Sequence, residues 1–131
     1  MTTAAFPQKR ILVVDDEPLI CYAVKMMLQH DGHVVETAGS AEDALTLLEK
    51  GKFDLVITDY KMPGMTGDEL ALAIKALDPA QLVIMITAYA EMLKSAEHSL
   101  EGIDYILSKP FLMADLRTAI ATVTPPPAAV N

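Results

Sequence analysis

Apolar residues recur along this chain in two alternating patterns, short continuous runs and longer stretches with helical spacing. The continuous runs are Ile11-Leu12-Val13-Val14, Leu55-Val56-Ile57, Leu82-Val83-Ile84-Met85-Ile86 and, more weakly, Tyr105-Ile106-Leu107. A run apolar at every position, rather than at every second one, predicts a strand buried on both faces, as in a parallel sheet. His33-Val34-Val35-Glu36-Thr37-Ala38 is less apolar and predicts a strand nearer an edge.

Between the runs the period changes to that of a helix. Ile20, Val24, Met27 and Leu28 share one face of a segment that opens at Pro18 and stops at Gly32. Pro suits the first helical turn, and the acidic Glu17 before it suits the cap and the dipole. Ala41, Ala44, Leu45 and Leu48 define a second helix, opened by Ser40 and ended at Gly51. Thr66-Gly67-Asp68-Glu69 has the form of a capping box. It predicts a third helix burying Leu70, Ala73, Ile74 and Leu77 until Asp78-Pro79. Glu91 to Leu100 offers only Leu93, Ala96 and Leu100 to a core and predicts a weakly anchored helix. Leu112, Leu116, Ala119, Ile120 and Val123 predict a last helix, which Thr124-Pro125-Pro126-Pro127 cannot continue. Strand and helix thus alternate five times, predicting an α/β doubly wound parallel sheet with helices on both faces. One domain over residues 9–123 is expected, with a loose arm at 1–8 and a Pro-rich tail or linker at 124–131.

Composition narrows the function classes. With 52% hydrophobic residues the chain is expected to fold, and no apolar run is long enough for a membrane span. No signal peptide opens it, and its one cysteine, Cys21, excludes an internal disulfide; a cytoplasmic location is the expectation. Cys21 reads as a packing residue. The formal charge is −8 and the basic residues are scattered, which argues against direct nucleic-acid binding by this segment. His30, His33 and His98 share no metal-ligand spacing and read as surface residues.

The chemistry gathers at strand ends. Asp15 and Asp16, Asp59, Thr87 and Lys109 each follow a strand. In a parallel sheet all carboxyl ends lie on one edge, where open α/β folds bind ligands. Three converging carboxylates repel one another, and a divalent cation with hard oxygen ligands, Mg²⁺, offsets that. A carboxylate nucleophile, a metal, a lysine and a hydroxyl donor are the parts needed for phosphoryl transfer onto an aspartate.

Four stretches carry a family resemblance: Ile11-Leu12-Val13-Val14-Asp15-Asp16-Glu17; Asp59-Tyr60-Lys61-Met62-Pro63-Gly64-Met65-Thr66-Gly67; Thr87-Ala88; and Ser108-Lys109-Pro110-Phe111. In this order, each at a strand end, they resemble the receiver domain of bacterial two-component response regulators. The resemblance implies a flavodoxin-like (βα)5 fold with sheet order 2-1-3-4-5. It implies Asp59 as the phosphoacceptor, supplied by a sensor histidine kinase or a histidine phosphotransfer domain. Asp16 would ligate Mg²⁺ directly, Asp15 would assist through water or as a ligand, and the backbone carbonyl of Lys61 would be a further ligand. Thr87 would bond a phosphoryl oxygen, small Ala88 would leave it room, and Lys109 would pair with another. The Lys109-Pro110 bond is expected to be cis. Such a protein catalyses only its own phosphorylation and dephosphorylation, works as a monomer or weak homodimer, and addresses an output domain or a target protein.

Three rival functions were weighed. A haloacid-dehalogenase-type phosphatase would need a second Asp at position 61, where Lys61 stands. A nucleotide-binding P-loop is absent. A pseudo-receiver that only binds partners would not need the acidic, Thr and Lys set. The chain also departs from the family. The switch aromatic usually lies three residues before the last lysine, where Ile106 stands, and Tyr105 is shifted by one. One residue of shift puts a strand side chain on the opposite face. Coupling between Thr87 and an aromatic at that slot is therefore expected to be weak, with Tyr89 as a candidate lid over the site.

Overall fold

The computed structural model describes residues 8–90 and 101–124. The arm, the tail beyond Thr124 and the helix expected at 91–100 lie outside the described residues. The elements are β1 (Arg10–Val14), α1 (Pro18–His30), β2 (Val34–Ala38), α2 (Ala41–Lys50), β3 (Leu55–Asp59), α3 (Gly67–Leu77), β4 (Leu82–Thr87), β5 (Tyr105–Ser108) and α4 (Met113–Val123). The five strands are parallel in the order β2-β1-β3-β4-β5. Each helix carries the chain back from the carboxyl edge of the sheet to its amino edge. β1 accordingly starts, and α4 ends, on the edge opposite the strand ends.

The continuous apolar runs are explained by two cores. Ile11 and Val13 face one, together with Ile57, Ile84, Ile86 and Leu107, under α1 and α4. Leu12 and Val14 face the other, with Val56 and Val83, under α2 and α3. Central strands have no solvent face, so alternation in the sequence disappears.

Local signals set the helix starts, with one exception. Ser40 Oγ accepts the Asp43 N–H at 3.1 Å, and the Thr66 N–H donates to Glu69 Oε1 at 3.0 Å. Glu17 occupies the N-cap of α1 without making a side-chain cap. Its N–H instead donates to Asp15 Oδ1 at 2.9 Å, so the turn is held from the strand side.

Several expected burials are corrected. Leu77, the last residue of α3, is 55% exposed, and Ala71 instead lies in the core beside Leu70 and Ile74. Leu112 is exposed as the N-cap of α4. Ile20, Met27, Leu45, Leu48 and Ala73 are only half-buried, whereas Cys21 is buried on the inner face of α1. His33 is buried rather than on the surface, and its Nδ1 accepts the Lys9 N–H at 3.1 Å. Burial pushes its pKa down, which keeps Nδ1 available as an acceptor. β2 starts at Val34, one residue later than the run at His33, and β5 covers Tyr105–Ser108, one residue beyond the apolar run. Asp104 lies outside the strand, where its carboxylate accepts the Val83 N–H at 2.8 Å and pairs with Lys75 at 3.0 Å. No helix among the described residues is long and apolar enough to cross a membrane.

Candidate functional site

The three central strands end together, and their register sets the site. Val14 lies beside Thr58, and Asp59 beside Ile86. The residues that follow β1, close β3 and close β4 therefore emerge at one level. One carboxylate oxygen each from Asp15, Asp16 and Asp59 lies within 4.8 Å of the others. Asp15 is 4% exposed, Asp59 half-buried and Asp16 exposed, so the cluster runs from the interior to the surface.

Lys109 arrives from the far side. Its N–H donates to the Thr87 carbonyl at 2.9 Å, and its Nζ lies 3.0 Å from Asp59 Oδ1. The Lys109–Pro110 bond that follows is cis. Thr87 is buried, and its Oγ1 accepts the Tyr89 N–H at 2.9 Å. A hydroxyl that accepts in this way keeps its own O–H to donate. Ala88 is exposed beside it and adds no bulk. Lys61, exposed in the loop after β3, places Nζ 5.9 Å from the centre of the Tyr89 ring.

Electrostatics explain what the cluster can hold. Asp15 is pushed up to about 6, first by burial and then by the neighbouring Asp59 and Asp16 carboxylates; the Glu17 N–H and Lys109 oppose this. One lysine leaves the three carboxylates short of compensation. Their oxygens form a donor set suited to a hard divalent cation, and the cluster contains no thiolate or imidazole that would favour a softer metal. The residues present thus fit Mg²⁺.

Of the residues expected at the site, Asp15, Asp16, Asp59 and Lys109 come together, Thr87 is hydrogen-bonded to Lys109 and Tyr89 at the end of β4, and Ala88 lies between Thr87 and Tyr89 in the chain. Lys61 follows two residues after Asp59, and its ammonium lies over the Tyr89 ring. Ile106 and Tyr105 stand on opposite faces of β5. In register, Ile106 lies beside Met85 and Tyr105 beside Ile84, and Tyr105 packs against the core under α1 and α4. In the sequence Gly67 belongs to the capping box and to the stretch after Asp59 that carries the resemblance. In the fold its N–H donates to the Tyr60 carbonyl at 2.7 Å, and a Cβ there would stand 2.3 Å from the Asp59 carbonyl oxygen. Only glycine lets α3 start this close to the strand that carries Asp59.

A parallel sheet with an acidic cluster and an opposed lysine at its carboxyl edge defines a class of signalling domain. The chain belongs to the response regulator receiver domain family, whose model matches residues 11–121. Chemotaxis protein CheY-3 of Vibrio cholerae is 37% identical over 111 residues, which make up 82% of this chain and 85% of that protein. Sporulation initiation phosphotransferase F of Bacillus subtilis is 32% identical over 117 residues, 89% of this chain and 94% of that one. Response regulator protein TrrA of Thermotoga maritima, solved in complex with Mg²⁺-BeF, superposes with a TM-score of 0.80 at 36% identity, covering 88% of this chain and 98% of TrrA. TrrA solved in complex with histidine kinase ThkA superposes with a TM-score of 0.76. Other curated relatives are far longer. The chain spans 10% of virulence sensor protein BvgS of Bordetella pertussis and 22% of transcriptional regulatory protein GlrR of Escherichia coli.

Proposed function

We propose that Asp59 accepts a phosphoryl group from the phosphohistidine of a sensor histidine kinase or histidine phosphotransfer domain, and that the phosphorylated domain engages an output domain or a target protein. The carrying observation is the Asp59 carboxylate, half-buried at a strand end, 3.0 Å from Lys109 Nζ and in reach of two further carboxylates. An Asp59 oxygen attacks phosphorus, the P–N bond to the donor imidazole breaks, and its electron pair stays on that nitrogen. Lys109 then pairs with a phosphoryl oxygen, and the Thr87 hydroxyl donates to another. Asp16 and Asp59, with Asp15 and the Lys61 carbonyl, would hold Mg²⁺, which when bound would supply positive charge against the carboxylates and the phosphoryl oxygens. The domain turns over only its own phosphoryl group, because Lys61 supplies no second carboxyl acid for external esters.

A phosphohistidine must reach Asp59 through the mouth of the site. Tyr22 of α1, exposed, lines a surface cavity with Asp15 and Asp16 and suits an apolar part of the partner's surface. The receiver occupies residues 9–123 in this reading, and a reducing cytoplasm suits its free Cys21. The test is intact mass after incubation with acetyl phosphate and Mg²⁺. Wild type gains about 80 Da, one phosphoryl group, and Asp59→Asn gains nothing while keeping its fold. A gain by the Asn variant overturns the assignment.

A further inference from the structure

In this chain no aromatic side chain of β5 stands beside Thr87. Thr87 lies in register with Ser108, and Met85 with Ile106, so Ile106 shares the Thr87 face. Tyr105 faces the other core. Ile106 has neither a hydroxyl nor a ring to exchange partners when the site changes.

Another tyrosine has the contacts that β5 lacks. Tyr89 is tied to the site twice. Its N–H donates to Thr87 Oγ1 at 2.9 Å, and its ring lies 5.9 Å from Lys61 Nζ. Tyr89 is 42% exposed, and among the described residues it belongs to neither core. Thr87 closes β4, the neighbour of the strand that Asp59 closes, and Lys61 lies two residues after Asp59 in the following loop. Both carry a group that a phosphoryl oxygen attracts, a hydroxyl donor and an ammonium.

We infer that Tyr89 is the residue through which this domain reads the phosphoryl state of Asp59. The inference rests on Asp59 being the acceptor. In the unphosphorylated form the Lys61 ammonium and the Thr87 hydroxyl are both engaged with Tyr89. A phosphoryl group on Asp59 brings two negative charges to the end of β3. A charge-assisted hydrogen bond to it is stronger than a cation–π contact over a half-exposed ring. Lys61 leaves the ring, and Thr87 turns its hydroxyl toward the phosphoryl oxygen. Tyr89 loses one tie, and the other lengthens as Oγ1 moves. The ring and the turn that carries it are then free to present a different surface.

The chain contains no tryptophan, so Tyr89→Trp supplies a single fluorophore that keeps the cation–π contact. Beryllofluoride with Mg²⁺ serves as the phosphoryl mimic in the full chain. Acrylamide quenching of Tyr89→Trp is expected to rise roughly twofold on adding it, as the ring loses its Lys61 cover. Adding Lys61→Ala to Tyr89→Trp should give the raised quenching before any mimic is added. Tyr105→Trp should not respond. The ring resonances of Tyr89 in the unsubstituted chain report the same change without a substitution.

Acetyl phosphate and intact mass establish separately whether Asp59 is phosphorylated. Phosphorylation with no change at Tyr89 overturns this inference and leaves the acceptor assignment standing. Burial of the position-105 ring beside Thr87 overturns it too. A Lys61→Ala background that behaves like its parent removes Lys61 from the device. A wild-type chain that takes up no phosphoryl group overturns both readings.

Discussion

Gly67→Ala tests how the end of β3 is held. The added Cβ would meet the Asp59 carbonyl oxygen at 2.3 Å and the Tyr60 Cα at 2.9 Å, against an ordinary contact of 3.4 Å or more. Both neighbours are backbone, so no side chain can turn away. α3 cannot retreat freely either, since Leu70, Ala71 and Ile74 are buried beneath it. The first turn of α3 or the end of β3 must therefore move by about 1 Å, with an overpacking cost of about 1–3 kcal/mol. Replacing Gly by Ala restricts the unfolded chain and returns up to about 1 kcal/mol. The net expectation is a loss of about 1–2 kcal/mol in urea unfolding. Displacing Asp59 by a fraction of that movement should slow phosphorylation by acetyl phosphate by roughly 10- to 100-fold at saturating Mg²⁺. Gly39→Ala is the matched control, because nothing lies within 4 Å of its added Cβ. It should stay within about 0.5 kcal/mol of wild type. If Gly67→Ala unfolds at the wild-type urea midpoint and is phosphorylated at the wild-type rate, the close approach does not constrain Asp59.

Two further perturbations probe charge. The Asp15 carboxyl titrates at about 6 in the fold against 3.8 ordinarily, so the folded state binds more protons between those values. Metal-free stability should accordingly fall as pH rises through that window, and Asp15→Asn should exceed wild type at pH 7 by on the order of 2 kcal/mol. Mg²⁺ should stabilise wild type more than this variant, and a wild-type-minus-variant difference that ignores pH would refute the account. Asp31, at the end of α1, accepts hydrogen bonds from Arg117 Nε and Nη2 of α4, both at 2.8 Å, and these hold its carboxyl below the usual carboxylate range. Its contribution should be present above about pH 4 and be lost as pH falls through the lowered value. Asp31→Asn should cost about 1–2 kcal/mol at neutral pH, discounted because Arg117 is partly exposed. Denaturant melts at pH 7 and at low pH check this, and equal costs at both would sink it.

The parts of the fold that were legible in the sequence are those where a single physical rule dominates. Strands buried on both faces have to be apolar throughout, and so β1, β3 and β4 stand out as runs. The ends of β1 and β3 are equally plain, because Asp15, Asp16 and Asp59 put carboxylates where the apolar runs stop. What stayed hidden depends on neighbours that are remote in the chain. The helical period puts Leu77 on the inner face, yet the period does not say where the opposing layer stops. His33 reads as polar, and only the fold shows the Lys9 N–H that needs its nitrogen. Glu17 has the composition of a cap, while Asp15 already satisfies the adjacent backbone. Gly67 has the same limit. Its conflict is with a carbonyl eight positions back, which only the turn between β3 and α3 brings close.

Because β1 begins and α4 ends on the amino edge, Gln8 and Thr124, which bound the described residues, lie on the side of the sheet away from Asp59. A unit joined directly at Gln8 or Thr124 starts from the side away from the mouth that a phosphoryl donor must approach. The receiver behaves like a plug-in cartridge. It can sit at the head, in the middle or at the tail of a larger polypeptide without a redesign of its reactive edge. A fusion at Gln8 or Thr124 therefore leaves open the approach of a donor. A graft into the loops after β3 or β4 would block that approach.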